Sequence, residues 1–260
     1  MTQSIDLFDI RNWVVVVTGS AVEVIGSLAD ILAQTGAHVY VCQPFLSDND
    51  VPSEDEHSSQ VFVNMDETNK LSIANAVRVV ETRERHINLL INVNAGESSQ
   101  GKRGSWDSFF NRTGSHSVSQ QTHEVEDWDR VFGTNISSSY FIASAFGSLL
   151  RAGAECHGTG CVINVSRPGK TYSQLAPLGG YPLPTMYGTS YSRPSASDTA
   201  LQQLNNLLAA ELNQSSRFPE RVRVNAVVLR QPAVTSCAVA QSVISCAANS
   251  FIHGTTICLE

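Results

Sequence analysis

The sequence predicts a single α/β domain over residues 1–260, built on a doubly wound parallel sheet with helices on both faces. Three observations carry this. The first is the stretch Trp13-Val-Val-Val-Val-Thr-Gly-Ser-Ala-Val-Glu-Val-Ile-Gly26. Four consecutive valines read as a strand buried on both faces. Thr18 and Gly19 are expected to break it. A helical pattern follows, with Leu28, Ile31 and Leu32 on one face and Gly36 at its end. The second observation is the apolar run His38-Val-Tyr-Val-Cys42, which completes strand, turn, helix, strand. The third is length: 260 residues suit one domain whose core is large enough to fold unaided.

The remaining elements follow in order. Val61-Phe62-Val63 reads as a third strand and Leu71 to Glu81 as a helix, with Asp66 a candidate N-cap. Leu89-Leu-Ile-Asn-Val-Asn94 is a fourth strand, turning at Ala95-Gly96. Residues 97–123 are rich in Ser, Gly, Gln and His and lack periodicity, longer than most connections in compact domains. They form either a substrate-side lid or an excursion, with Glu97 at the base. A helical pattern continues from Asn135 to about Leu150, with Phe141, Ala145 and Leu149 on one face. Cys161-Val-Ile-Asn-Val-Ser166 is a fifth strand. Residues 168–186 carry prolines at 177, 182 and 184, and no path is assigned to them. Pro194 excludes a regular helix through it, so Ser192 as N-cap with Pro194 in the first turn restarts one. That helix continues through Leu201, Leu204, Leu208 and Leu212. A last strand at Thr255–Leu259 closes the chain.

Composition excludes several classes. The net charge is −7, the pI is about 5.5, and no basic cluster stands out, so nucleic-acid binding is not expected. The six cysteines show no C-x-x-C spacing, so reduced thiols in a cytoplasmic setting are expected and no metal site. The first residues lack a basic, apolar signal pattern. No run of about 18 apolar residues suggests a membrane span.

Strand, glycine turn, helix, strand is the opening of a dinucleotide-binding fold, in which glycines make the tight turn, admit the pyrophosphate and let helix and strand pack closely. The turn Thr18-Gly-Ser-Ala-Val-Glu-Val-Ile25 resembles the T-G-x-x-x-G-x-G of short-chain dehydrogenases/reductases. Gly19 is kept. Glu23 holds the second glycine position and Ile25 the third, which Gly26 fills only if one residue is inserted. Glu23 either brings a carboxylate to the anion site or merely suits the positive helix end.

The resemblance continues along the chain. Asp66-Glu-Thr68 is similar to an Asp-x-Thr segment whose Asp contacts adenine. Val93-Asn94-Ala-Gly96 is similar to N-N-A-G. Glu126–Asn135 is similar to the helix that ends in an active-site Asn, which holds a relay water through a local kink. Cys161–Arg167 resembles I-V-N-I-S-S, with Arg167 where the second, catalytic Ser stands and Ser166 kept before it. Tyr187-Gly-Thr-Ser-Tyr191 resembles Y-x-x-S-K, with Tyr191 in place of Lys. Arg221–Thr235 resembles the sixth strand and its loop, with Leu229-Arg230 for Pro-Gly. The substrate flap expected after Thr235 is missing, and the chain passes almost directly to Val239–Cys246, which resembles the penultimate helix.

The resemblance implies a Rossmann-like fold. It names Tyr187, Asn135, Ser166 and Arg167 as catalytic candidates and Arg230, Tyr191 and Glu97 as substrate-side candidates. Gly19, Asp66 and Asn94 would contact a dinucleotide if one binds. Three losses in one cleft point first to a non-redox cyclase, isomerase or lyase acting on a small organic molecule, with no tightly bound cofactor. The alternatives are a divergent oxidoreductase using NAD(H) or NADP(H), and a non-catalytic binding protein. The helices around 127–150 and 195–213 are expected to pair in a homodimer or homotetramer.

Overall fold

A computed structural model describes residues 8–19, 21–45, 59–94, 129, 132–166, 193–213, 221–229 and 234–259, with backbone alone at 22–23 and 193–199. Among the described residues, seven strands form one parallel sheet: β1 (Val14–Gly19), β2 (His38–Gln43), β3 (Gln60–Asn64), β4 (Leu89–Asn94), β5 (Cys161–Ser166), β6 (Arg223–Leu229) and β7 (Thr256–Leu259). Their order is β3-β2-β1-β4-β5-β6-β7. The chain winds outward from β1 to β3, then crosses back and winds the other way from β4. The reversal puts a crevice between β1 and β4, where open sheets of this kind bind ligands.

The valine run explains both layers, because successive side chains of a strand point to opposite faces. Val14 and Val16 join Leu90, Val162 and Val224 on one face. There they meet α2 (Lys70–Arg83), α3 (Ser138–Ala145), α4 (Gly147–His157) and α5 (Arg193–Glu211). Val15 and Val17 join Leu89, Ile91, Ile163 and Val165 on the other. That face is covered by α1 (Val22–Gln34) and α6 (Ser236–Ala248), which supply Leu28, Leu32, Val239 and Val243.

Four local expectations are corrected. Thr18 and Gly19 do not break β1. They pair with Asn92 and Val93 of β4, and Thr18 is fully buried. Gly19 has φ +130°, and a Cβ there would stand 2.1 Å from the Val93 carbonyl oxygen, so only glycine permits this approach. The N-cap of α2 is Asn69, not Asp66: Asn69 Oδ1 accepts from the N–H groups of Leu71 (2.9 Å) and Ser72 (3.3 Å). The helix expected to run to about Leu150 is interrupted: it passes through a π-helical turn at Gly133–Ser137, α3 stops at Ala145, and α4 carries the chain on from Gly147 to His157, closing at Gly158 with φ +66°. Gly26 does not take over the third glycine's packing role: a Cβ there would meet nothing within 4 Å.

α5 runs from Arg193 with Pro194 in its first turn, and Ser192, the expected N-cap, lies outside the described residues. Six residues join Leu229 of β6 to Ser236 of α6. Arg223, 3% exposed, fixes the far end of α6. Its guanidinium donates to the carbonyls of Cys246 (2.8 Å), Asn249 (2.8 Å) and Ile252 (3.2 Å), and to that of Ala247. A buried cation is here compensated by the carbonyl end of a helix. Among the described residues, no helix is long and apolar enough to cross a membrane, and all six cysteines are free thiols.

Candidate functional site

The candidate site lies at the carboxyl ends of β1, β4 and β5. At β1, Gly19 leads to α1, and the Ala21 N–H donates to the Val93 carbonyl (3.3 Å), tying the turn to β4. α1 opens at Val22, so its positive amino end sits at the switch point. Glu23 is in the first turn of α1. Ile25, at the third glycine position, is completely buried against the sheet together with Leu28 and Leu32.

At β4 and β5, Asn94 and Ser166 are register partners, each 3% exposed. Both share the sheet face that carries α3. The π-turn of Gly133–Ser137 brings Asn135 over them and buries it. Asn94 Nδ2 donates to the Asn135 carbonyl (3.4 Å) and to Ser139 Oγ (3.1 Å), and Ser139 Oγ donates to the same carbonyl (3.0 Å). A π-turn leaves backbone groups out of the helical ladder. Here side chains from β4 and α3 take up that demand and hold the kink open. Asn94, Asn135 and Ser166 therefore come together, with Gly19 one strand away.

Asp66 is brought to the same edge of the sheet but lies beyond β3. Its Oδ1 accepts from the Thr68 N–H (2.9 Å) and Thr68 Oγ1 (2.7 Å), and its own N–H donates to Ser72 Oγ (2.9 Å). Tyr187, Tyr191, Arg167, Arg230 and Glu97 lie outside the described residues, as do 97–123 and 168–186.

Two features escaped the sequence reading. The first is Glu67. Its Oε2 is buried with no hydrogen-bond partner. Burial, with the Asp66 carboxylate adding to it, pushes its carboxyl up to about 7. Nothing local marks it: Glu67 stands three residues past the end of β3, beside another acid. The second is a row of amides one layer beneath the site. Thr18, Asn92 and Asn164 are in register across β1, β4 and β5. Asn92 Nδ2 donates to Asn164 Oδ1 (2.8 Å), and Asn164 Nδ2 donates to Asn205 Oδ1 on α5. The trace in the sequence is an Asn at the fourth position of each of two largely aliphatic strands.

The short chain dehydrogenase family matches residues 13–245 of the chain, nearly its whole length. The chain belongs to the short-chain dehydrogenase family. Solved structures agree on the fold. A Pseudomonas aeruginosa RhlG/NADP active-site complex superposes with a TM-score of 0.68 at 16% identity, covering 98% of this chain and 97% of that one. An NADH-dependent reductase A1-R′ complexed with NAD gives 0.67 at 20% identity, covering 97% of each. A short-chain dehydrogenase/reductase from Serratia marcescens gives 0.63 at 17%, covering 96% and 97%. No curated protein matches.

The described part of this short-chain dehydrogenase fits a dinucleotide at the switch point. Gly19 keeps β1 close to β4, α1 begins directly beyond it, and Asp66 is exposed at the end of β3. The departure is local: Glu23 and Ile25 occupy α1 where glycines would let a pyrophosphate close in.

Proposed function

We propose that the chain is an NAD(P)(H)-dependent oxidoreductase that holds its dinucleotide loosely and works as a reductase of a small organic carbonyl compound. The observation that carries this reading is the set Asn94–Asn135–Ser139 beside Ser166. An unpaired buried polar group costs about 1–3 kcal/mol, and aliphatic side chains would pack this place without that demand. A polar kink retained at the carboxyl edge, in a chain of this family, favours retained chemistry over a bare scaffold. The family match also favours redox chemistry over the cyclase or isomerase that the lost motifs first suggested.

The bound nicotinamide would supply the hydride. Gly19, the amino end of α1, Asp66 and Asn94 are the residues proposed to hold the dinucleotide. Ser166 Oγ holds the substrate oxygen, and Tyr187 donates the proton to it. With Tyr191 where the family has Lys, the Tyr187 phenol has no neighbouring ammonium at that position to acidify it. A phenol near its ordinary pKa of about 10 is a proton donor at neutral pH and a poor base. This favours reduction over alcohol oxidation. Asn135, held by Asn94 and Ser139, fixes the polar wall behind the reacting oxygen. Arg167 and Arg230 offer positive charge to a polar or anionic substrate group, and Glu97 and Tyr191 complete the substrate side.

The test is a calorimetric titration with NADH and with NADPH, followed by a screen of carbonyl compounds. Expected are a dissociation constant weaker than about 10 µM, dinucleotide-dependent reduction, and a loss on the order of 100-fold in Tyr187→Phe. No binding of either dinucleotide at millimolar concentration would sink the proposal. One observation favours a second, non-redox reading: Glu23 falls in the first turn of α1, where a pyrophosphate would need a glycine. Conversion of a substrate with no dinucleotide present would select it.

A further inference from the structure

At the opposite end of the sheet, the amino ends of β1, β4 and β5 border a cleft of about 290 Å³ that the proposed reaction does not use. Its floor is fixed by Asn88, whose Oδ1 accepts from the Val14 N–H (2.8 Å) and whose Nδ2 donates to Thr159 Oγ1 (2.6 Å). Trp13 and Arg11 line it together with a pair of imidazoles: His86, between α2 and β4, and His157, in the last turn of α4. Their rings stack with centroids 3.9 Å apart and an interplanar angle of 21°.

Two imidazolium ions at this separation would repel one another, and negative charge placed beside them would offset that repulsion. We propose that this cleft is a proton-linked binding site for a small anion, an oxyanion or carboxylate, gripped by the N–H groups of His86 and His157. An anionic oxygen is the acceptor that two protonated imidazoles recognise. The volume lies at the small end of ligand pockets and suits a single-ring carboxylate laid against the half-buried Trp13. It equally admits an inorganic oxyanion.

The charges around the pair support this. The Arg11 guanidinium is engaged by Asp9, with Nε 2.8 and 2.9 Å from its two oxygens. Glu84, at the end of α2, stands 3.9 Å from His38 Nδ1. Arg85 follows it. Burial, and then His157, lower the pKa of His86, against the opposing influence of Glu84 and a hydrogen bond with Asn88. His86 is thus pushed toward its neutral form, and negative charge in the cleft would act against that push.

The experiment follows the histidine Cε1–H resonances of the whole chain during titration with sodium sulfate and, separately, sodium benzoate. It is run at about pH 5.5 and about pH 8, with chloride holding ionic strength constant. His86→Gln and His157→Gln assign the two signals. Expected are joint shifts of both signals, binding about tenfold or more tighter at the lower pH, and at least a comparable loss in either variant. Response to benzoate alone, or to sulfate alone, supports the site and tells which anion class it takes. The proposal is overturned if neither anion moves the two signals, if affinity is equal at both pH values, or if the variants bind like the parent. Neither probe tests dinucleotide binding, so this outcome is independent of the function proposed above.

Discussion

Glu67→Gln isolates the energetic weight of the buried carboxyl beside Asp66. The fold raises its pKa from 4.5 to about 7, and one unit corresponds to about 1.4 kcal/mol. The carboxylate form of Glu67 therefore costs the folded state about 3 kcal/mol. The sign follows from linkage: the native state binds the proton more tightly than the unfolded chain, so stability falls as pH rises between the two values. Below about pH 4.5 both states are protonated and this cost vanishes. Above about pH 7 both are ionised and the cost is complete. The glutamine variant carries no titrating proton there but adds a buried amide donor, a penalty that does not vary with pH. The informative quantity is thus the difference between variant and parent as a function of pH. In urea denaturation from about pH 4.5 to 8, Glu67→Gln should gain on the parent steadily and level off above 7, with a total swing of about 3 kcal/mol. A difference that stays flat across that range would refute the reasoning, whatever its absolute value.

Arg223→Met should destabilise the chain by about 3 kcal/mol in urea denaturation, because carbonyls at the end of α6 lose a charged donor; parental stability would count against it. His253 accepts the Val224 N–H at Nδ1 (3.2 Å), and burial, then Arg221 and Arg223, lower its pKa. Its contribution is complete above the unfolded value of about 6.5 and is lost as pH falls through the folded one; His253→Asn, which keeps an acceptor without a titrating ring, should flatten the fall in melting temperature between about pH 7.5 and 5. Leu207 on α5 is 53% exposed, which suits a proposed two-fold pairing of α5 with its copy. Light scattering should give a dimer or tetramer for the parent and a smaller species for Leu207→Glu, and a monomeric parent at micromolar concentration would end that proposal.

What the sequence disclosed follows from the range of each interaction. β1, β4 and β5 were legible because strands buried on both faces need continuous aliphatic runs, a purely local signal. Their ends were less legible. Gly19 reads as a breaker alone, yet it continues β1 because Val93, from another strand, leaves no room for a Cβ. Asp66 and Asn69 are both good caps, and only the structure shows Asp66 spent on Thr68. The kink at Asn135 was available through resemblance, but not the side chains that hold it, since Asn94 lies 41 residues away. Asn92 and Asn164, 72 residues apart, were invisible for the same reason. Glu67 drew no reading from the sequence because burial is a property of the assembled fold.

The in-register amides of Asn92 and Asn164 also govern how faithfully the sheet assembles. Runs such as Leu-Leu-Ile-Asn-Val-Asn and Cys-Val-Ile-Asn-Val-Ser are otherwise nearly interchangeable along their length, and aliphatic strands of that kind slide past one another at little cost. Sliding β5 by one residue against β4 would point Asn164 and Ser166 at the greasy underside of α6 and strand the Asn92 amide. Each amide left without a mate costs about 1–3 kcal/mol, enough together to deplete the slipped arrangement to a trace. The amides thus act as a ratchet for strand alignment, and they do so one layer below Asn94 and Ser166, where a shifted strand would scatter the site first.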